Sequence, residues 1–328
     1  MGIFFRIEFH IFVHRNRVKE ESAPISNMDM GLSPETFCDL AEEEALRQHD
    51  MLTRSTVDNY HTALRSFRKF LKGTGKRKTL DDTLLKCYER WLHSQQVKPN
   101  TVSCYMRSLR SLFIKIGGNE MRHIFDKVYT GRAVTEKRSL PIDDVARLRT
   151  VALKPSSHLA IVRDLFLFSF YALGMPFVDI AFLRREQISN GQLTYYRRKT
   201  RQQVNVRIEP CMQEIIDRYH NENSVYVFPI LTSTEQQQAY DEYLLALNRY
   251  NRSLKRLAAK AGVNKRLTSY VARHTWASTA YSENVDLTVI SKALGHANPR
   301  NTLTYIRQIN DQRLNEANRH LIELLYPC

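Results

Sequence analysis

Cysteine is scarce in this chain, and its five residues, Cys38, Cys87, Cys104, Cys211 and Cys328, are scattered without a single C-x-x-C pair. That pattern excludes a disulfide framework and a cysteine zinc site, and it fits a reducing, cytoplasmic setting. Long apolar runs are missing too. The nearest, "HLAIVRDLFLFSFYALG", is interrupted by Arg163 and Asp164, short of the about 18 uncharged residues that a membrane span needs. It reads as a buried helix, and no membrane partner is expected. The N-terminal "IFFRIEFHIFVH" is broken by Arg6, Glu8 and His10, too often for the core of a signal peptide. Residues 1–30 are therefore expected to be a poorly ordered extension, with translation starting at Met28 or Met30. Internal repeats and low-complexity tracts are absent as well.

Acidic residues are outnumbered: 34 Asp and Glu face 49 Lys and Arg, a formal net charge of +15. Such an excess favours polyanionic partners, a nucleic acid or an anionic membrane surface, through counterion release. The hydrophobic content of 43% rules out general disorder, and 328 residues suffice for two ordinary domains.

A helical pattern begins at Thr53, with Ser55 and Asp58 as a start resembling a capping box and Val57, Tyr60, Leu64, Phe67 and Leu71 as the buried stripe. Arg65, Lys69 and Lys72 gather away from that stripe, and the loop "KGTGKRK" adds Lys76. A second such helix starts at Pro99 and Asn100, buries Val102, Tyr105, Leu109, Leu112 and Ile116, and ends at Gly117-Gly118. Arg107 and Arg110 lie on its outer side. Between them "LDDTLLKCYERWLHSQQ" forms a helix with Leu84, Tyr88 and Trp91 inside. Residues 31–130 thus read as an all-helical domain with a basic face, which serves either solubility or polyanion binding.

Residues 131–139, within "TGRAVTEKRS", lack apolar periodicity and read as a linker. A second domain, 140–328, opens with "LPIDDVARLRTVAL" and the buried helix. The segments "REQIS", "QLTYYRRK" and "QQVNVRIE" are short, β-branched or alternating, and separated by Asn190-Gly191 and a polar turn at about 199–202. They predict a small antiparallel three-stranded sheet in an otherwise helical domain, so the fold class is mainly α (α+β). Helices follow at "MQEIIDRYH", "AYDEYLLALNRYNRSLKRLAAKAG", "LTSYVARHTWASTAYSEN", "DLTVISKALG" and "PRNTLTYIRQ", with a terminal one over 311–325.

The stretch "LGHANPRNTLTYIR" carries the chemistry. Asp286 caps a helix closing at Leu294-Gly295, with His296 just past it, and Asn298-Pro299 starts the helix that carries Tyr305. Alone, His296 reads as a cap and Tyr305 as a core aromatic. Upstream, however, "TSYVARHTWAS" sets Arg273 and His274 on a helix, and "TYYRRKT" sets Lys199 at a hairpin tip. This order, a hairpin Lys, then Arg-His, then LGH-x8-Y, resembles the tyrosine recombinase (phage integrase) family over nearly the whole chain from about residue 53. "FVDIAFLR" and "YVARHTWAS" resemble in particular the integrases of Bacteroides-type bacteria.

The resemblance implies a helical SAM-like core-binding domain followed by a catalytic domain, and site-specific integration, excision or inversion through a 3′-phosphotyrosyl DNA intermediate. Tyr305 would be the nucleophile, Arg273 the forked phosphate donor, His296 a phosphate donor or acceptor of the phenol proton, and Lys199 the acid at the leaving 5′-oxygen. Arg197, Arg198 and Arg201 flank Lys199 and leave the loop register open by one residue. Double-stranded DNA is the implied partner, bound in part by Arg65, Lys69, Lys72, Lys76, Arg107 and Arg110. A homotetramer, with accessory DNA-bending proteins and a place at the nucleoid, is implied too, and neither cofactor nor metal.

Two positions depart from the family pattern. "ALGMPFVDIAFL" places Pro176 where the family has its first arginine, suiting a helix over 176–183, with Arg184 and Arg185 as candidate substitutes. Tyr270 stands where the family has a histidine three residues before Arg273, and it can donate one hydrogen bond to a phosphate or simply pack. His274 is expected to brace the helix. The alternatives are a DNA-binding protein of this fold that has lost its chemistry and a relaxing type IB topoisomerase. Arg273, His296 and Tyr305 occurring together favour the recombinase.

Overall fold

The computed structural model describes residues 32–48, 53–74, 79–117, 122–133, 139–296, 302 and 318–319. The N-terminal extension, Lys76, the helix expected around Tyr305 and the terminal helix over 311–325 lie outside the described residues, apart from Thr302, Asn318 and Arg319. The chain divides into two compact units, Met1–Thr135 and Glu136–Cys328.

The first unit is helical: α1 (Pro34–Arg47), α2 (Arg54–Leu71), α3 (Asp82–Ser94) and α4 (Pro99–Lys115), followed by a 3-10 turn at Arg122–Phe125. The buried stripe of α2 is the one its periodicity predicts, with Val57, Tyr60, Leu64, Phe67 and Leu71 all inside. Aromatic side chains supply much of the core, where Phe67 meets Tyr88 edge-on at 5.0 Å and Phe37 and Phe125 both approach Phe113. The start of α2 differs from expectation. Its N-cap is Thr53, which makes no side-chain cap bond, and the Thr53 hydroxyl pairs with those of Ser55 and Thr56 instead. Ser55 therefore lies inside the first turn, two residues too late to cap it.

The second unit is mostly helical with one small sheet. It contains α5 (Ile142–Thr150), α6 (His158–Tyr171), α7 (Phe177–Ala181), α8 (Pro210–Arg218), α9 (Gln236–Lys260), α10 (Val271–Ser282) and α11 (Leu287–Ala293). The strands β1 (Ile188–Ser189), β2 (Gln192–Tyr196) and β3 (Gln203–Arg207) form an antiparallel sheet in the order β1-β2-β3, with Leu193 opposite Val206 and Tyr196 opposite Gln203. Asn190 and Gly191, both at positive φ, make the first turn.

Helix α6 is the buried centre that the apolar run predicts, and its one buried charge is fully answered. The carboxylate of Asp164 accepts from Arg163 Nε at 2.9 Å, Tyr219 Oη at 2.8 Å and Arg218 Nη1 at 2.5 Å. Among the described residues no helix is long and apolar enough to cross a membrane.

Candidate active site

Helix α6 ends in a sharp turn. Leu173 and Gly174 both take positive φ, and Ser169 ties the loop down, its hydroxyl donating to the Met175 carbonyl at 2.7 Å. A Cβ on Gly174 would stand 3.0 Å from Arg273 Cα, so glycine permits this close approach as well as the backbone angle. The turn aims the Gly174 carbonyl at α10, where it accepts from Arg273 Nη1 at 2.9 Å.

Arg273 sits in the first turn of α10 and is 1% exposed. Its Nη2 donates to the Leu294 carbonyl at 2.5 Å and lies 3.2 Å from His296 Nε2. Because guanidinium nitrogens only donate, Nε2 is the acceptor and the imidazole proton is on Nδ1, which lies 2.8 Å from the Thr302 hydroxyl. His296 owes its position to the end of α11. Asp286 caps the start, accepting from Thr288 N at 2.7 Å, and the end is a Schellman turn in which Gly295 N donates to Lys292 O and His296 N to Ser291 O. Burial, helped by the nearby charges of Arg273, Arg197 and Lys199, pushes the His296 pKa down from 6.5 to about 4.

The loop between β2 and β3 docks on that helix end. Thr200 Oγ1 donates to the Gly295 carbonyl at 2.9 Å, and Arg197 Nη1 donates to the Leu294 carbonyl at 2.8 Å. Lys199 rides on this loop, exposed, close enough for its charge to act on His296. Asp179 of α7 anchors the loop from the other side, accepting from Arg198 N at 3.0 Å and facing Arg197 Nε at 3.5 Å. Burial holds the Asp179 carboxyl above its ordinary pKa despite these cations.

Of the residues singled out from the sequence, Arg273 and His296 are in direct contact and Lys199 is on the loop that docks at the same helix end, whereas Tyr305 lies outside the described residues. Thr302, three residues before Tyr305, is fully buried against His296. Tyr270 does not join the cluster. It precedes α10, 40% exposed, with its ring tilted against His274 at 5.9 Å, and its hydroxyl makes no hydrogen bond to Arg273 or His296. Tyr270 and His274 instead line a separate basic hollow with Arg252, Lys255 and Arg266.

Pro176 is the N-cap of a five-residue helix rather than part of its first turn, and α7 stops at Ala181. Arg184 and Arg185 therefore lie beyond the helix, not two turns along it. Arg184 pairs with Glu186 at 3.6 Å and Arg185 donates to the Glu222 carbonyl at 2.8 Å. What sequence reading missed is Arg197 and Asp179. Strand alternation carries the signal for the first: Leu193 and Tyr195 point inward, so Arg197 falls on the buried side too. A lone carboxylate in "FVDIAFL" carries it for the second.

In the first unit, Arg65, Lys69 and Lys72 gather as expected around a basin shared with His61, Arg68 and Glu42. Arg107 is exposed on α4 and Arg110 half-buried. Among the described residues no group of three His, Cys, Asp or Glu side chains is placed to hold a metal ion.

No curated protein matches the chain in sequence. Solved structures match in fold. Lambda integrase, as a dimer bound to a COC′ core site, gives a TM-score of 0.62 at 12% identity, over 84% of this chain and 95% of that one. A lambda integrase tetramer bound to a Holliday junction gives 0.63 at 13%, over 84% and 78%. The Tn1549 transposon integrase, in complex with a circular intermediate DNA, gives 0.65 at 14%, over 86% and 99%. The phage integrase SAM-like domain family matches residues 36–115, and the phage integrase family matches 138–312. With more than half of its length matched, and with Arg273, His296 and the LGH turn inside the match, the chain belongs to the phage integrase family of tyrosine recombinases, enzymes that cut and rejoin DNA strands.

Proposed function

We propose that this protein is a site-specific recombinase that breaks DNA through a covalent bond to Tyr305. The observation that carries the reading is the contact chain Arg273–His296–Thr302, which ends three residues from Tyr305. A scissile phosphate placed on Arg273 meets a forked donor suited to two nonbridging oxygens. The Tyr305 hydroxyl oxygen forms a bond to phosphorus, and the bond from phosphorus to the 5′-oxygen breaks. The phenol proton goes to His296 Nε2, whose lone pair the phosphate frees by drawing off Arg273, and the leaving 5′-oxygen takes a proton from Lys199. A phenol with a pKa of about 10 is only about 0.1% ionised at pH 7, so proton removal must accompany attack. The phosphodiester's bond energy is kept in the phosphotyrosyl link, and a 5′-hydroxyl from another strand reverses the step.

In this reading residues 31–130 bind double-stranded DNA through the face carrying Arg65, Lys69, Lys72, Lys76, Arg107 and Arg110, and residues 140–328 cut it, the two joined by 131–139. Strand exchange between two duplexes needs four nucleophiles, hence a homotetramer on DNA, an assembly of the kind in which lambda integrase is bound to a Holliday junction. The test is a nicked suicide substrate made from DNA flanking the gene. The wild-type protein becomes trapped on it and Tyr305→Phe binds without being trapped. Binding without trapping by both proteins would instead favour a DNA-binding protein that has lost the chemistry.

A further inference from the structure

The position of the family's first arginine is filled by Pro176, yet the pocket still contains two guanidinium groups. Arg197 is 3% exposed, and its Nη1 donates to the same Leu294 carbonyl that accepts from Arg273. The pocket was built around it. Gly295 leaves room that a Cβ would close to 2.5 Å from Arg197 Cδ, and Asp179 faces its Nε. The Arg197 Nη2 has no hydrogen-bond partner among the described residues. Two buried guanidinium charges side by side repel each other; Asp179 answers Arg197 from its Nε side alone, and an anion between the two would answer both. The carbonyls of Leu294 and Gly295 offer only partial charges, so they hold both side chains in place without neutralising either.

We infer that Arg197 is a catalytic residue: it supplies the second guanidinium on the scissile phosphate, from the hairpin loop instead of from the start of α7. This rests on the recombinase reading above. Arg197 comes from a different place in the sequence than Pro176, and its guanidinium shares the Leu294 carbonyl with that of Arg273.

The test compares one protein preparation on two suicide substrates, one with an ordinary scissile phosphate and one with a neutral methylphosphonate there. A group that neutralises phosphate charge matters less when the charge is gone. Arg197→Gln keeps a donor for the Leu294 carbonyl and loses the charge. Its trapping rate should fall about 10²- to 10³-fold on the ordinary substrate, and by at least about tenfold less on the methylphosphonate. Because both substrates meet the same sample, the ratio does not depend on the fraction folded. Equal losses on the two substrates, or no loss on either, overturn the assignment and leave Arg197 a packing residue. Wild-type protein that is never trapped overturns the recombinase reading itself, a distinct outcome. As a second arm, Pro176→Arg combined with Arg197→Gln should regain at least tenfold of the lost rate.

Discussion

Arg197 and Arg273 donate to one atom, the carbonyl oxygen of Leu294, at 2.8 and 2.5 Å. That oxygen belongs to the C-terminal end of α11, where the helix leaves carbonyls without partners of its own. A helix end thus fixes two long side chains, one from a hairpin loop and one from α10, before any DNA arrives. Side chains held this way need little reorganisation when a phosphate binds, which is how such donors assist a developing charge.

Arg273→Lys keeps the charge and loses the fork. Trapping on a suicide substrate should fall by about 10²-fold or more. Arg273→Ala should also destabilise the fold by about 1–3 kcal/mol, because the buried Gly174 carbonyl loses its donor. Denaturant unfolding measures the second effect. An Arg273→Ala protein as stable as wild type would show that the site relaxes around the smaller side chain.

Gly295 has φ +59 and no room for a side chain beside Arg197 Cδ and Val204. Gly295→Ala should cost about 1–3 kcal/mol of stability through strain and overpacking. It should also slow trapping by displacing the Arg197 side chain. Thermal melting and single-turnover trapping on the same sample check both.

The sequence revealed most where large side chains repeat at a fixed period. The stripe of α2 and the three strands around Asn190-Gly191 were readable for that reason. Helix α1 was not, because it buries mainly Phe37, Cys38, Ala41 and Ala45 among five acidic residues, too little apolar bulk to stand out. Arg273 and His296 were legible as a pair because their motif is specific. Arg197 was hidden by its neighbours: four cationic residues, Arg197, Arg198, Lys199 and Arg201, crowd one loop, and only strand alternation tells the buried one from the exposed ones. Arg184 and Arg185 were harder to place, because periodicity predicts a helix to 183 whereas α7 ends at Ala181 and leaves both in the segment beyond it.

His296 gives a pH signature. The unfolded chain takes up a proton near pH 6.5, and the folded protein refuses it until about pH 4. The stability tied to this group is therefore complete above about pH 6.5, is lost as pH falls toward 4, and changes no further below that. The drop in melting temperature from pH 7 to pH 5 should be smaller in His296→Gln than in wild type. An NMR titration of the free protein should find this imidazole neutral at pH 5.5. A normal titration near 6.5 would contradict the buried, cation-flanked position.

DNA affinity should fall steeply with salt. Neutralising Arg65 and Lys69 together should reduce the magnitude of the slope of log K against log salt by about 0.9 for each DNA phosphate that no longer meets a cation, with similar weakening on all sequences. Fluorescence anisotropy at several salt concentrations measures it. An unchanged slope would show that this basic face does not meet DNA.

The most direct measurement is on Tyr305 itself. Protein trapped on a nicked substrate, digested with protease and nuclease and sequenced by mass spectrometry, should give one nucleotide-linked peptide, with the link on Tyr305 and the DNA attached by its 3′-phosphate. A link to any other side chain, or a 5′-phosphate link, would contradict the account.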